Sequence, residues 1–387
     1  MISGPPTGDE RVVTPQFRLL WTGGFTLFLS FFLLMPTLPL YARALGIPDS
    51  RIGLLSGAFP LAAMLVRPLA GWAADRHGRK PLMLLGALVF AVSSALYAGS
   101  HSLAALVAVR ALHGTGMGLY PTGGTAMAAD MAPPARRGYA LGLIGIGASL
   151  ALAIGPLAGL WIVEAWGYGW LFAASALLAL VTLGLTVGQH ESLRVRATVP
   201  LAWDTAFSRP ALYPCTIVFC LMATYGVLVT YLPLRAAGGR SAGIFFTVMA
   251  VVIIFSRWAA GGLSDRVGRP PVAAAGALCA AAALGVIVLG GDSGALAIAG
   301  GLYGLGLGFT QPSLIAWCVD LVSPTERGRA MGTFYTALEL GIATGAIGAI
   351  GAGSVLARTG YEAVFLLGAG IALAASVLAL ARVARPR

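Results

Sequence analysis

Residues 71–81 read "GWAADRHGRKP" and close a long apolar run, yet five of the eleven can carry charge in a chain whose Asp, Glu, Lys and Arg make up only 10%. A second stretch, beginning at Gly261, reads "GGLSDRVGRPP" and repeats the order Gly, three residues, Asp-Arg, one residue, Gly-Arg. Asp75 and Asp265 lie 190 residues apart. The same offset relates Arg67 to Arg257, Gly114 to Gly304, Asp130 to Asp320, Arg137 to Arg327, Gly138 to Gly328 and Gly142 to Gly332. One constant shift carrying seven pairs of mostly unusual residues points to an internal duplication.

Around these loops the chain is apolar. Of its 387 residues 58% are hydrophobic, and mean hydropathy is +0.86. Apolar runs long enough to cross a bilayer recur along it. Twelve spans are expected, at 17–42, 51–74, 82–100, 103–131, 138–164, 167–188, 209–235, 241–264, 271–290, 294–321, 329–355 and 360–382. Each must be a helix, because a lipid-exposed backbone has to satisfy its own hydrogen bonds. The one long polar stretch divides the chain into an N-terminal six-helix bundle (1–188), a cytoplasmic linker (189–208) and a C-terminal six-helix bundle (209–387). The expected fold is all-α, with twelve transmembrane helices in two pseudo-symmetric bundles. Parallel repeats of this kind place a site between them near mid-membrane.

The net charge of +11 suggests nucleic acid, but the positive residues fall in short loops between spans. With both termini in the cytoplasm, seventeen Lys and Arg lie on that side and five, Arg43, Arg51, Arg235, Arg240 and Arg358, on the other. That asymmetry is the positive-inside pattern and fixes the expected topology. Cys215, Cys220, Cys279 and Cys318 lie in apolar segments at spacings that match no zinc site. No cleavable leader is read: 1–14 is polar and the first apolar run is long enough to stay in the membrane. No nucleotide-binding loop, metal cluster or nucleophile triad is recognised, so no cofactor is expected.

The opening stretch joins the second and third spans. Gly78 permits a tight turn and Gly71 a close helix contact. Asp75 can accept hydrogen bonds from a neighbouring helix N-terminus. Arg76 and Arg79 can reach a carboxylate at another span's cytoplasmic end, and Asp130 is the candidate. Asp265, Arg266, Arg269 and Asp320 are the second copy. The expectation is a charged clasp that forms in one arrangement of the bundles and opens in the other. The bland alternative is residues that only fix topology, which suits Lys80 best.

The stretch resembles the loop signature of the major facilitator superfamily, Gly-x-x-x-Asp-Arg-x-Gly-Arg-Lys/Arg. Gly71, Asp75, Arg76, Gly78, Arg79 and Lys80 match in full, whereas the second copy has Pro270 where a base is usual. The resemblance covers nearly the whole chain and is greatest to the twelve-span proton-coupled drug and metabolite exporters. "VAVRALHGTGMG" resembles that family's fourth-span pattern, with Arg110 and Gly114 in place and His113 where Gln is usual. This implies a part for Arg110 in proton coupling or anion binding. In the fifth span, "GLIGIGASLALAIGPLAGL" resembles the antiporter signature of drug exporters. Gly155, Pro156 and Gly159 match it and would bend the span, while Ala151 and Leu160 depart from it.

Ionisable groups at membrane depth are functional candidates because they are costly there. Glu339 is the one carboxylate near the middle of a span, about 18 Å from the cytoplasmic end by helix rise. Loss of hydration disfavours a charged carboxylate, which suits reversible protonation, so Glu339 is the first candidate for the proton carrier. The family's architecture sets the eleventh span beside the second, which makes Arg67 a possible partner, with Arg110 the other. Arg67 and Arg257 either brace the helix ends or bind an anionic group. Phe28, Phe32, Tyr120, Tyr225, Tyr231, Tyr303, Gln311 and Tyr335 are candidates for the cavity wall, the alternative being packing or lipid-facing side chains.

The expected function is secondary active transport by alternating access, as proton-coupled efflux of a small organic molecule such as a drug or metabolite. The alternatives are an importer or uniporter of a small anionic metabolite, and a non-transporting receptor or scaffold. The expected partners are substrate, protons and the bilayer. The chain is expected to be a monomer in the inner (cytoplasmic) membrane with the proton gradient as its energy source.

Overall fold

The structure is a computed structural model that describes residues 12–133, 136–193, 207–236, 240–323, 326–351 and 353–382. Most of the expected linker, 194–206, lies outside the described residues. The described elements are helical. They are α1 (Pro15–Leu34), α2 (Thr37–Ala44), α3 (Asp49–His77), α4 (Arg79–Leu96), α5 (Leu103–Met131), α6 (Arg137–Trp166) and α7 (Tyr168–Val187) in the first half. In the second half they are α8 (Leu212–Arg235), α9 (Arg240–Val267), α10 (Arg269–Leu289), α11 (Ser293–Asp320), α12 (Arg327–Gly351) and α13 (Gly353–Ala381). The first expected span is two helices, because Pro36 interrupts it between α1 and α2. Among the described residues ten helical segments are long and apolar enough to cross a membrane, and α9 holds a shorter apolar stretch, Ser241–Arg257.

Local chemistry sets the helix ends. Thr14 accepts from the Phe17 N–H at 3.2 Å, with Pro15 behind it opening α1. Ser102 and Asp292 cap α5 and α11 in the same way. Gly78 and Gly268 take φ of +117° and +94° at the α3–α4 and α9–α10 turns. A side chain rarely adopts that conformation, which accounts for glycine at this point of both repeat copies.

Within the first half, hydroxyls stitch α1, α4 and α7 together. Thr26 meets Thr182 at 2.8 Å, Ser30 meets Ser175 at 2.8 Å, and Ser94 meets Ser175 at 3.0 Å. α6 runs unbroken through Pro156 and lies close on α1. A methyl at Gly155 would sit 2.5 Å from the Phe32 Cβ, and one at Gly159 would overlap the Leu33 carbonyl. Contacts between the halves run chiefly along two seams, α3 on α12 and α6 on α9.

The apolar core is divided unevenly. The larger cluster holds second-half residues together with first-half residues, among them Leu34, Tyr41, Ile52, Leu55, Tyr97 and Phe172. All six lie near the end of the bundle where α3 begins. A separate cluster, including Phe17, Leu20, Met83, Met117 and Tyr120, is confined to the first half and lies toward the end where α3 finishes. The halves therefore share a core at one end only. The end carrying the Asp75 and Asp265 loops is called the basic end below, and the other the opposite end.

A candidate transport cavity and the ion pair at its head

A cavity of about 980 Å³ lies between the halves, walled mainly by α1, α3, α5 and α6 of the first half and by α12 of the second. Phe207 and Arg329, both near the basic end, belong to the wall, as do Arg67 and Tyr335 deeper in. On α12 the wall residues Arg329, Gly332 and Thr336 stand at helical spacing on one stripe that continues to Glu339.

At the head of that stripe the two halves are joined by a charge pair. Arg67 Nη2 of α3 donates to Glu339 Oε1 of α12 at 2.6 Å. Glu339 is only 6% exposed; Arg67 is partly exposed to the cavity and lies 5.8 Å from the Tyr335 ring centroid. Removing either partner strands the other in a poorly hydrated place, so the pair is an expensive element to disturb. Of the two partners considered for Glu339, the structure selects Arg67. Arg110 lies elsewhere, buried against the faces of Phe59 at 4.4 Å and Phe31 at 5.5 Å. Its Nε and Nη1 make no hydrogen bond among the described residues.

Of the aromatic and polar candidates, Phe28, Tyr120, Tyr335 and Arg67 line the cavity. Phe32, Tyr225, Tyr231, Tyr303, Gln311 and Arg257 do not line it, and each is engaged elsewhere. Phe32 packs beneath Gly155. The Tyr225 hydroxyl points to Met35 Sδ at 3.6 Å, Tyr231 donates to the Ala346 carbonyl at 3.1 Å, and Tyr303 meets Thr224 at 2.7 Å. Arg257 donates to Gln311 Oε1 at 2.7 Å.

The expected clasp has a different reach. Arg79 is buried and bridges Asp75 Oδ1 at 2.6 Å and Asp130 Oδ2 at 3.2 Å, so it ties α3, α4 and α5 of one half. Arg269 repeats this with Asp265 and, at 3.1 Å, Asp320, tying α9, α10 and α11 of the other. These pairs close within each half, not between them. Arg76 lies over Trp72 at 5.4 Å. Asp75 is also not the cap of the neighbouring helix. Glu191, just after α7, accepts from the Arg79 and Lys80 N–H groups at 3.0 Å each. Burial opposes ionisation of Glu191, but N–H bonds from Leu193, Arg79 and Lys80 outweigh it and hold the carboxyl below its ordinary range. In the second copy Pro270 has no N–H to offer at the position of Lys80.

At the opposite end the polar contacts do cross. Arg43 of α2 pairs with Asp49 of α3 at 2.5 Å and donates to the Leu234 carbonyl of α8 at 2.7 Å. The Tyr361 hydroxyl of α13 donates to Asp49 and accepts from Arg43. Thr247 of α9 donates to the Ala153 carbonyl of α6 at 2.7 Å. Sequence reading counted Arg43 only as an outer-loop charge and passed over Asp49, although opposite charges six residues apart flanking a short turn are a usable signal.

A family model described as Major Facilitator Superfamily matches residues 20–346 and 237–387. The chain is 37% identical over 179 residues to a "Multi-drug resistance efflux pump PmrA homolog" of Lactococcus lactis, covering 45% of this chain and 44% of that protein. It is 33% identical over 144 residues to "Quinolone resistance protein NorA" of Staphylococcus aureus, covering 36% and 37%. The matches thus span less than half the length of these curated relatives. Among solved structures, the human organic anion transporter MFSD10 (TETRAN) superposes with a TM-score of 0.71 at 22% identity over 95% of this chain and 100% of that one. The nucleoside transporter NupG gives 0.76 at 15% identity over 96% and 100%. At these identities the superpositions speak for the fold alone.

Proposed function

The chain belongs to the Major Facilitator Superfamily, and we propose that it is a secondary active transporter that exports a small organic molecule in exchange for protons. It works by alternating access, with the basic end facing the cytoplasm, as the excess of Lys and Arg there favours. The observation that carries this reading is the Arg67–Glu339 pair. It joins the two halves at the head of a drug-sized cavity, where a change in Glu339's charge or in its partner alters the cost of parting them. A proton on Glu339 removes the attraction and frees the halves to move. Similarity to two proteins named as resistance or efflux proteins supports export.

Asp75, Arg79, Asp130 and their second-half counterparts act in this reading as braces. They make each half move as one piece, and the halves part where no ion pair joins them. The proton gradient is the energy source, the monomer is the working unit, and the chain sits in the inner membrane with both termini in the cytoplasm. A second reading, import or uniport of a small anionic metabolite, is favoured by one observation: the cavity wall carries two arginines.

Proteoliposomes with an imposed pH gradient separate these. Substrate moving against the proton flow means antiport, and substrate moving with it means symport. The Glu339→Gln variant should bind and exchange substrate but fail to accumulate it. Undiminished accumulation by that variant removes Glu339 from the coupling role.

A further inference from the structure

Resting on the transport reading, we infer that the cargo is an amphipathic organic anion whose carboxylate, or similar single anionic head, is received first by Arg329 and then by Arg67. The charge inventory of the wall carries this. Among the described residues its wall holds no carboxylate or ammonium group, and the two charged residues there, Arg329 and Arg67, are both guanidinium cations. The nearest acid in depth, Glu339, is buried and already bound by Arg67. The acid beside Arg329 is Glu326, 3.3 Å away at the start of α12 and outside the wall. Among the described residues, an organic cation entering this cavity therefore meets two like charges and no free counter-charge.

Among the described residues each arginine also has one N–H without a partner. The Nε of Arg67 and the Nε of Arg329 are buried and make no hydrogen bond among the described residues. A guanidinium holds five N–H donors in a planar fork that fits a carboxylate with two parallel bonds. Arg67 uses Nη2 on Glu339, which leaves donors for a second oxygen pair.

Position orders the two stations. Arg329 lies two residues inside the start of α12, and Arg67 meets Glu339 ten residues further along the same helix, about 15 Å at the helical rise. The first-half wall is mostly apolar, with Phe28, Met64, Met117 and Ile144 beside the hydroxyls of Tyr120, Thr122 and Thr125. It suits the uncharged body of a molecule whose head is held by one arginine at a time. The charge class holds for either direction of transport, whereas the order of the two stations is that of cargo entering from the basic end.

The test uses three solutes with one apolar body: 1-naphthylacetate, its amide, and 1-naphthylethylammonium, titrated into the purified full-length chain. The anion is expected to bind best and the ammonium worst, with about a tenfold gap between the anion and the amide, the size of one lost charge-assisted hydrogen bond. Arg329→Gln should cut the anion's advantage to about threefold or less on the same scale. Because Arg67→Gln alone strands Glu339, the Arg67→Gln/Glu339→Gln double variant is used, and the same loss is expected. Arg67→Lys should recover part of it. Tighter binding of the ammonium, or an anion preference that survives both arginine substitutions, overturns the inference and leaves transport standing. If none of the three binds, the inference also falls. Liposome flux of neutral and cationic solutes then decides separately whether the transport reading falls with it.

Discussion

The two ends of the bundle use the same materials, arginine, carboxylate and a short turn, to opposite effect. At the basic end Arg79 and Arg269 each gather two aspartates from their own half, and these pairs stay within their halves. At the opposite end Arg43 and Asp49 of the first half reach Leu234 and Tyr361 of the second. The apolar core repeats the contrast, shared at the opposite end and separate at the basic end. Bonds within a half stiffen a moving piece, and bonds between halves fasten a state. The conformation described is therefore open toward the basic end and fastened at the other.

The largest effect is expected where backbone meets backbone across the seam. A methyl at Gly53 would overlap the Ala346 carbonyl oxygen and approach the Tyr231 hydroxyl to 2.8 Å. Gly53→Leu should force α3 and α12 apart at the opposite end, at about 1–3 kcal/mol for such overpacking. Spin-label distances across that end should show the closed population falling several-fold or more; an unchanged distribution breaks the contrast between the ends.

Comparable in size is Arg67→Leu, which strands Glu339. Thermal unfolding should show a loss of about 3 kcal/mol, much of it restored by adding Glu339→Gln. No restoration would mean that Arg67 acts by packing alone.

Tyr361→Phe and Asp75→Asn sharpen the comparison because each removes side-chain bonding at one end. Tyr361→Phe deletes bonds between the halves, about 1–2 kcal/mol, and should favour opening of the opposite end. Asp75 is 56% exposed at its side chain, so its neutralisation should change stability by less than about 1 kcal/mol. It should slow turnover more than it weakens substrate binding. Equal effects of the two variants on the open-to-closed ratio would contradict the division of labour.

The smallest effect is Glu191→Gln, a cap worth about 1 kcal/mol. Glu191 is held below the ordinary carboxylate range, so its contribution is complete above that range, near pH 4.3, and is lost as pH falls through the lowered value. Wild type and variant should differ in thermal midpoint at pH 7 and converge once pH falls below the lowered value and the carboxylate is neutralised. A gap that persists there would mean that charge is not what caps α4.

Much of the fold was legible because membrane physics writes it in long apolar runs. The expected 138–164 span is α6, Arg137–Trp166, and 51–74 is α3, Asp49–His77. The Arg79–Asp130 contact was legible too, since a buried loop charge needs a partner within reach. The facing of side chains was not. A helix apolar on every side carries no polar stripe to mark its inner face, so Tyr303 and Tyr120 look alike in sequence although only Tyr120 reaches the cavity wall. Glu191 was missed because its partners are backbone N–H groups, which leave no mark in a side-chain pattern.

Two label pairs on a cysteine-free background probe the motion itself: His77 with Val267 at the basic end, and Arg51 with Gly294 at the opposite end. In Glu339→Gln, or on acidification of the wild type, the expected result is reciprocal, one distance shortening as the other lengthens, because each half moves as a single piece once the Arg67–Glu339 attraction is gone. Distances that lengthen together, or that ignore the state of Glu339, would contradict it.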